Sequence, residues 1–289
     1  MDILDVVRRR AWDSRYYEVS DAAKAVPTML TPEDGKMLCW LGEHYFQSKG
    51  AVVDLGCFLG GSTASLASGL ERSGRPWTIH SYDRFRTEEF GKLKRLRLSG
   101  FAEPEGKDFF SLFEKHVQSF APNVVPHRGE VESHPWTGAP IEILSLHAAQ
   151  SVEALDFLLR QFFSCLIPGH SIIVAPCNNW FFQTPWMITT MELLRPKIEL
   201  VGWTRYYLSM FRCNDVPDAR DMERIRFDRL SQPEVEALIL RARDRFPFES
   251  QRELYAMALD TYRLTPNARQ TKDLKPPNWA SKPTTGWWS

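Results

Sequence analysis

Between residues 51 and 175, short apolar runs alternate with amphipathic stretches, and few architectures accept that order. A strand too apolar for one wet face needs helices on both sides, so the pattern predicts a parallel sheet with helical layers. The strands expected are Ala51 to Leu55, Thr78 to Tyr82, Val124 to His127, Ile141 to Leu146 and Ser171 to Ala175. The helices between them are Ser62 to Arg72, Lys107 to Phe120 and Val152 to Leu166, the last stopped by Pro168-Gly169. Two further runs, Ile198 to Thr204 and Tyr206 to Arg212, lie too close for a crossover helix and must pair antiparallel, as a hairpin at the sheet edge. The fold class expected is α/β, a doubly wound, mostly parallel seven-stranded sheet.

The flanks read as helix. Thr31-Pro32-Glu33-Asp34 supplies a cap, a proline at the first helical position and acids in the first turn, and the helix should run through Leu38, Leu41 and Tyr45. Ser231-Gln232-Pro233-Glu234 marks a second capped start. The organisation expected is an N-terminal helical cap (1–50), a core (51–213), a helical extension (214–264) and a tail rich in proline and tryptophan (265–289). Trp279, Trp287 and Trp288 are an association hazard in water, which favours a docked tail over a disordered one.

Composition narrows the partners. Lysine plus arginine and aspartate plus glutamate both number 36 in the 289 residues, so no global field draws the chain to nucleic acid or anionic lipid. No apolar run reaches the roughly 18 residues of a membrane helix. No apolar stretch follows the arginines of Met1 to Arg10 as a secretory signal requires. Cys39, Cys57, Cys165, Cys177 and Cys213 are widely spaced and contain no Cys-x-x-Cys pair. A reduced, cytoplasmic protein with neither disulfide framework nor zinc site is expected.

The chemistry concentrates at Asp54-Leu55-Gly56-Cys57-Phe58-Leu59-Gly60-Gly61-Ser62. A buried strand ends, a glycine turn follows, and a helix opens whose free N–H groups suit an anion; a ligand-free tight connection would read the same way. A dinucleotide fingerprint needs glycine where Phe58 stands, so nicotinamide and flavin cofactors are disfavoured. Gly60-Gly61-Ser62 leaves room for a smaller anion, such as the carboxylate of an amino-acid moiety. Asp83, ending the next strand, suits both hydroxyls of a ribose, although an ordinary loop aspartate would look alike. Glu130, after the third strand, is a candidate for an adenine edge.

These segments together, with the Thr31-Pro32 helix start and the terminal hairpin, resemble class I S-adenosylmethionine-dependent methyltransferases. Within them the chain looks most like the small-molecule O-methyltransferases related to the macrocin O-methyltransferase group, over about residues 28 to 213. The resemblance implies a transfer from S-adenosylmethionine to an oxygen of a small molecule, a saccharide or secondary metabolite. Asp54, Gly56, Phe58, Gly60, Gly61 and Ser62 would form the methionine site, Asp83 the ribose site and Glu130 the adenine site.

The departures bear on catalysis. The family's Asp-Gly-x-His-Ser segment reads here Leu146-His147-Ala148-Ala149-Gln150-Ser151, and its acids after the fifth strand are replaced by Ala175-Pro176. Alanine and proline side chains supply no oxygen to a hard cation, so no catalytic magnesium is expected. His147 stands where the family presents an aspartate and is either a general base or a hydrogen-bonded core histidine. Asn178, Trp180 and Phe181 follow the fifth strand and could orient an acceptor. The aromatic segment through Trp186 could instead pack against the N-terminal helices or a second subunit in a homo-oligomer. Lys92, Lys94, Arg95 and Arg97 favour an anionic acceptor or form a solvated face. The rival reading is a catalytically degenerate relative that binds a nucleoside ligand or a protein partner.

Overall fold

A computed structural model of the protein describes residues 3–86, 108–176, 184–205, 208–246, 249–275 and 277. The chain forms two compact units, Met1–His147 and Ala148–Ser289. In the first, β1 (Ala51–Leu55), β2 (Ile79–Asp83), β3 (Val124–Arg128) and β4 (Ile141–Leu146) carry the parallel pairs β3-β2, β2-β1 and β1-β4. Val52, Val53, Leu55, Ile79, Ile143 and Leu144 are fully buried, as strands covered on both faces require. At the edge, β3 exposes Val125 and Pro126; a proline is tolerated there because an edge strand can spare a donor.

The helices of this unit are α1 (Ile3–Arg8), α2 (Asp21–Lys24), α3 (Pro32–Trp40), α4 (Gly61–Ser73) and α5 (Phe110–Val117). The expected start of α3 is present: the Asp34 N–H donates to Thr31 Oγ1 (3.2 Å), and the Asp34 carboxylate accepts from the Thr31 N–H (2.8 Å). The helix continues through Leu41–Tyr45 as a wider π turn. Every residue of α4 from Gly61 to Leu70 is buried, which its small side chains allow. At Gly69 a Cβ would sit 1.8 Å from the Cys39 carbonyl oxygen, so α3 and α4 touch at backbone distance.

Ahead of β1, the buried Glu142 carboxylate accepts the N–H groups of Gln47 (2.6 Å), Lys49 (2.7 Å) and Gly50 (3.3 Å). A carboxylate with this many donors can stay ionised inside a protein.

The second unit carries α6 (Val152–Phe162), β5 (Ile172–Ala175), α7 (Pro185–Leu193), β6 (Ile198–Trp203) and β7 (Ser209–Cys213). It continues with α8 (Ala219–Arg224), α9 (Gln232–Arg243) and α10 (Glu249–Leu264). The expected hairpin is present, with β7 antiparallel to both β6 and β5. The seven strands follow the order β3-β2-β1-β4-β5-β7-β6. Ile188 of α7, Val235 and Ile239 of α9, and Tyr255 and Leu259 of α10 share one core.

The start of the tail is docked in this unit. The Val152 N–H donates to Arg269 O (2.9 Å), the Thr271 N–H to Gln150 O (2.9 Å), and Arg269 pairs with Glu153 (2.7 Å). Trp279, Trp287 and Trp288 lie outside the described residues.

Candidate functional site

The loop after β1 is fastened to the end of β2. The N–H groups of Gly56 and Cys57 both donate to Tyr82 O (2.8 and 3.2 Å), and the chain then turns through positive φ at Gly56 (86°), Phe58 (50°) and Gly60 (98°). Phe85, just past β2, is also left-handed (51°). For a bulky residue this conformation costs about 1–2 kcal/mol. One carboxylate offsets both: Asp83 Oδ2 accepts the Phe58 N–H (2.9 Å), and Oδ1 accepts the Phe85 N–H (2.8 Å). The rings fix the arrangement further, Phe58 edge-on to Phe109 at 5.1 Å and Phe85 against Phe113 at 4.7 Å.

Beneath the loop is a buried polar cluster. Asp54 is fully buried; its Oδ2 accepts from Ser62 Oγ and Thr63 Oγ1, each at 2.7 Å, and Thr63 Oγ1 also lies 2.9 Å from Ser81 Oγ. Asp54 Oδ1 has no hydrogen-bond partner. Negative charge dominates here, and burial, reinforced by Asp83 and Asp54, pushes the Cys57 thiol well above its usual range.

His147 belongs to the same cluster. Asp54 pairs in register with Ser145 of β4, and His147 is two residues beyond on the same face, its N–H donating to Leu55 O (2.8 Å). Its Nε2 is enclosed. Burial lowers the imidazole's pKa, against which the Asp54 charge pulls upward. The ring is therefore neutral at pH 7, the state a general base requires.

The glycines of the loop serve a different purpose from the one expected. A Cβ on Gly61 would sit 2.3 Å from the Thr28 side chain, and one on Gly60 would sit 2.8 Å from Val117 Cγ1. Their missing side chains make room for the chain's own residues rather than for an anion. The Ser62 hydroxyl, expected at the methionine end, donates to Asp54. Gly56 and Phe58 keep partial exposure in the loop, and no side chain caps the first turn of α4. The approach to the loop is thus over Gly56 and Phe58.

Asp83 is also partly exposed. The Gly129 N–H donates to Asp83 O (3.0 Å), which brings the end of β3 to the end of β2; Glu130 beyond it is exposed, 3.9 Å from Arg84. Asn178, Trp180, Phe181 and the Lys92–Arg97 cluster lie outside the described residues. Trp186, from the same aromatic segment, is buried and donates Nε1–H to Ala149 O (3.1 Å), within its own unit. Among the described residues, no group of three or more His, Cys, Asp or Glu is placed to hold a metal ion.

Sequence reasoning missed two features. The phenylalanines around the loop form a cluster with Cys57 and Leu59, signalled only by the phenylalanine spacing over 109–113. On β2 and β3, His80 Nδ1 lies 3.0 Å from His127 Nε2, and the Tyr82 ring stacks on His127 at 4.1 Å. Alternation of His80 and Tyr82 along β2 was the available signal.

No protein-family model and no curated protein matches this chain. Among solved structures, it is similar to the O-methyltransferase NovP at 11% identity, over 74% of this chain and 98% of that one, with a TM-score of 0.47. It is also similar to CalO1, a methyltransferase in calicheamicin biosynthesis with SAH bound, at 15% identity over 49% of this chain and 34% of that one, with a TM-score of 0.28. A cyclopropane-fatty-acyl-phospholipid synthase-like protein from Lactobacillus casei matches at 10% identity over 89% and 92%, with a TM-score of 0.34.

Proposed function

We propose that this protein is a methyltransferase that uses S-adenosylmethionine and acts, without a metal, on an oxygen of a small molecule of the saccharide or secondary-metabolite class. The observation that carries the proposal is the charge at the loop. Asp54 and Asp83 lie at the ends of neighbouring parallel strands, and Asp54 keeps one buried oxygen without a partner. Two carboxylates repel a pyrophosphate but suit a ligand bearing ammonium and sulfonium charges. The antiparallel β7 between β5 and β6 likewise departs from the 3-2-1-4-5-6 order of dinucleotide-binding sheets.

The residues present fit this donor. Asp54, with Gly56 and Phe58 at the open side of the loop, would hold its amino-acid end. Asp83 would take the ribose hydroxyls, with Glu130 near the base. Gly60, Gly61 and Ser62 would shape this site from behind. When bound, the donor supplies a methyl group on a positively charged sulfur. The chain's part is to orient the acceptor and to take its hydroxyl proton onto the neutral His147 imidazole. Asn178, Trp180 and Phe181 remain the proposed acceptor contacts.

A second reading, a binding protein of the same fold without catalysis, rests on Ala148, Ala149, Ala175 and Pro176 at positions where acids were expected. Calorimetric titration with S-adenosylmethionine, with NADH as control, tests the pocket, and transfer from methyl-labelled donor into candidate acceptors tests the chemistry. Donor binding with transfer supports the enzyme; binding without transfer favours the second reading; absence of binding overturns both.

A further inference from the structure

We infer that His116 is a positioning residue for the donor site: its imidazole, on α5, holds the carbonyl of Leu59 and so fixes the end of the glycine loop on which an amino-acid moiety would rest. The role deepens the proposed function and rests on it for its meaning in catalysis, whereas the contact itself does not.

Each stretch of the loop has its own anchor. The start is held at Tyr82 O by the N–H groups of Gly56 and Cys57, and the middle by the Phe58 N–H on Asp83. Leu59, the last residue before the N-cap of α4, is buried. Among the described residues its carbonyl takes no backbone N–H. Its partner is a side chain 57 positions along the sequence, His116 Nδ1, at 3.0 Å. A buried carbonyl left unpaired is costly, so this side chain does what the helix ladder does not.

α5 meets the loop along one face, where Phe109, Phe113, His116 and Val117 recur at the three- and four-residue spacing of helix neighbours. A Cβ on Gly60 would sit 2.8 Å from Val117 Cγ1 and 3.3 Å from the Phe113 ring, so these side chains close the space beside the loop. They keep the loop from moving toward α5, and the His116 bond keeps it from lifting away. With Leu59 held, the chain enters α4 through Gly60 at a φ of 98°, and the first-turn N–H groups of α4 keep one direction.

The bond also decides which ring nitrogen carries the proton. A carbonyl oxygen only accepts, so Nδ1 is the donor. Burial lowers the imidazole's pKa against the upward pull of that bond, so the ring is neutral at pH 7 and has a single N–H, which goes to Leu59 O.

The test compares His116→Asn with His116→Gln in the full chain. The Asn amide nitrogen can take the place of Nδ1, whereas the longer Gln amide reaches toward the place of Nε2 and misses Leu59 O. Calorimetric affinity for S-adenosylmethionine should fall about tenfold in His116→Gln and by less than about threefold in His116→Asn. Hydrogen exchange of the amides from 56 to 61 should quicken in His116→Gln alone, while those of β1 and β4 keep the rates of the unmodified chain. Nitrogen NMR of the unmodified chain should show the His116 ring as its Nδ1–H tautomer, with its resonances assigned by their loss in His116→Asn. If His116→Gln does not fold, near-normal donor affinity in His116→Asn together with the Nδ1–H tautomer upholds the clasp, and the Nε2–H tautomer overturns it. Equal affinities in the two variants, or exchange that quickens throughout the unit rather than at the loop, overturn the role. A chain that binds no donor sinks the proposed function, and the tautomer and the loop exchange then judge the clasp without it. Donor binding unaffected by His116→Gln sinks the positioning role alone.

Discussion

Phe58 and Phe85 are joined through one side chain: both are left-handed, and each donates its N–H to a different oxygen of Asp83. The carboxylate expected to serve a ribose is thus also the clasp that keeps the β1 and β2 loops in shape. A ribose bound there would share Asp83 with the loop.

Asp83→Asn should accordingly affect two measurements. The amide oxygen can accept one N–H, but the amide nitrogen faces the other, so one charge-assisted bond is lost, worth about 2 kcal/mol. The urea midpoint should fall by a corresponding amount, and affinity for S-adenosylmethionine should fall with it. A variant of unchanged stability would show that the two strained loops hold themselves.

Several histidines should make the fold acid-sensitive. Burial, with His80 and His134 nearby, pushes His127 down to about 4, and burial lowers His80, His116 and His147 as well. A group whose folded pKa is depressed adds stability above its unfolded value of 6.5 and loses it as the pH falls toward the folded value. Thermal stability should therefore decline from pH 6.5 toward pH 4. His127→Gln should flatten that decline between about pH 6.5 and 5, before most carboxylates titrate. An identical slope in the variant would remove His127 from the account.

The fold was legible because its signals are local. Apolar runs such as Val52–Leu55 and Ile141–Leu146, and the caps at Thr31 and Ser231, encode strands and helix starts within a few residues, and the structure places them there. The site was legible only in part. Asp54 and Asp83 are found from their places at strand ends. Nothing near Gly61 in sequence reveals that Thr28 fills the space beside it, and nothing near Asp83 shows that Phe58 and Phe85 will share it. The Gly61–Thr28 and Phe58–Asp83 contacts span 25 residues or more and depend on tertiary packing, whereas the Phe85 bond to Asp83 is local. A glycine demanded by a neighbouring side chain looks, in sequence, the same as one demanded by a ligand.

Two glycines of α4 and its end should respond differently to the same methyl group. At Gly69 a Cβ would lie 1.8 Å from Cys39 O, a backbone atom of a helix that must move as a whole. At Gly74 there is nothing within 4 Å, and the cost comes only from a φ of +66°. Gly69→Ala should cost about 3 kcal/mol or prevent folding, as severe overpacking does. Gly74→Ala should cost about 1 kcal/mol. Equal denaturation midpoints for the two variants would refute the backbone contact between α3 and α4.

Glu142 allows stability to be separated from ligand binding. Its Oε1 accepts the Gln47 N–H, and its Oε2 accepts those of Lys49 and Gly50, all ahead of β1 and at the opposite end of that strand from the Gly56–Gly60 loop. In Glu142→Gln one amide nitrogen must face a backbone donor inside the protein, at a cost of about 3 kcal/mol. Denaturation should come earlier, while the affinity for S-adenosylmethionine measured well below the transition stays that of the unmodified protein. Asp83→Asn should lower both, so the pair of variants tells a structural carboxylate from one that also meets the ligand. If Glu142→Gln weakened binding as much as Asp83→Asn, the site would extend to both ends of β1, and the loop alone could not be its floor.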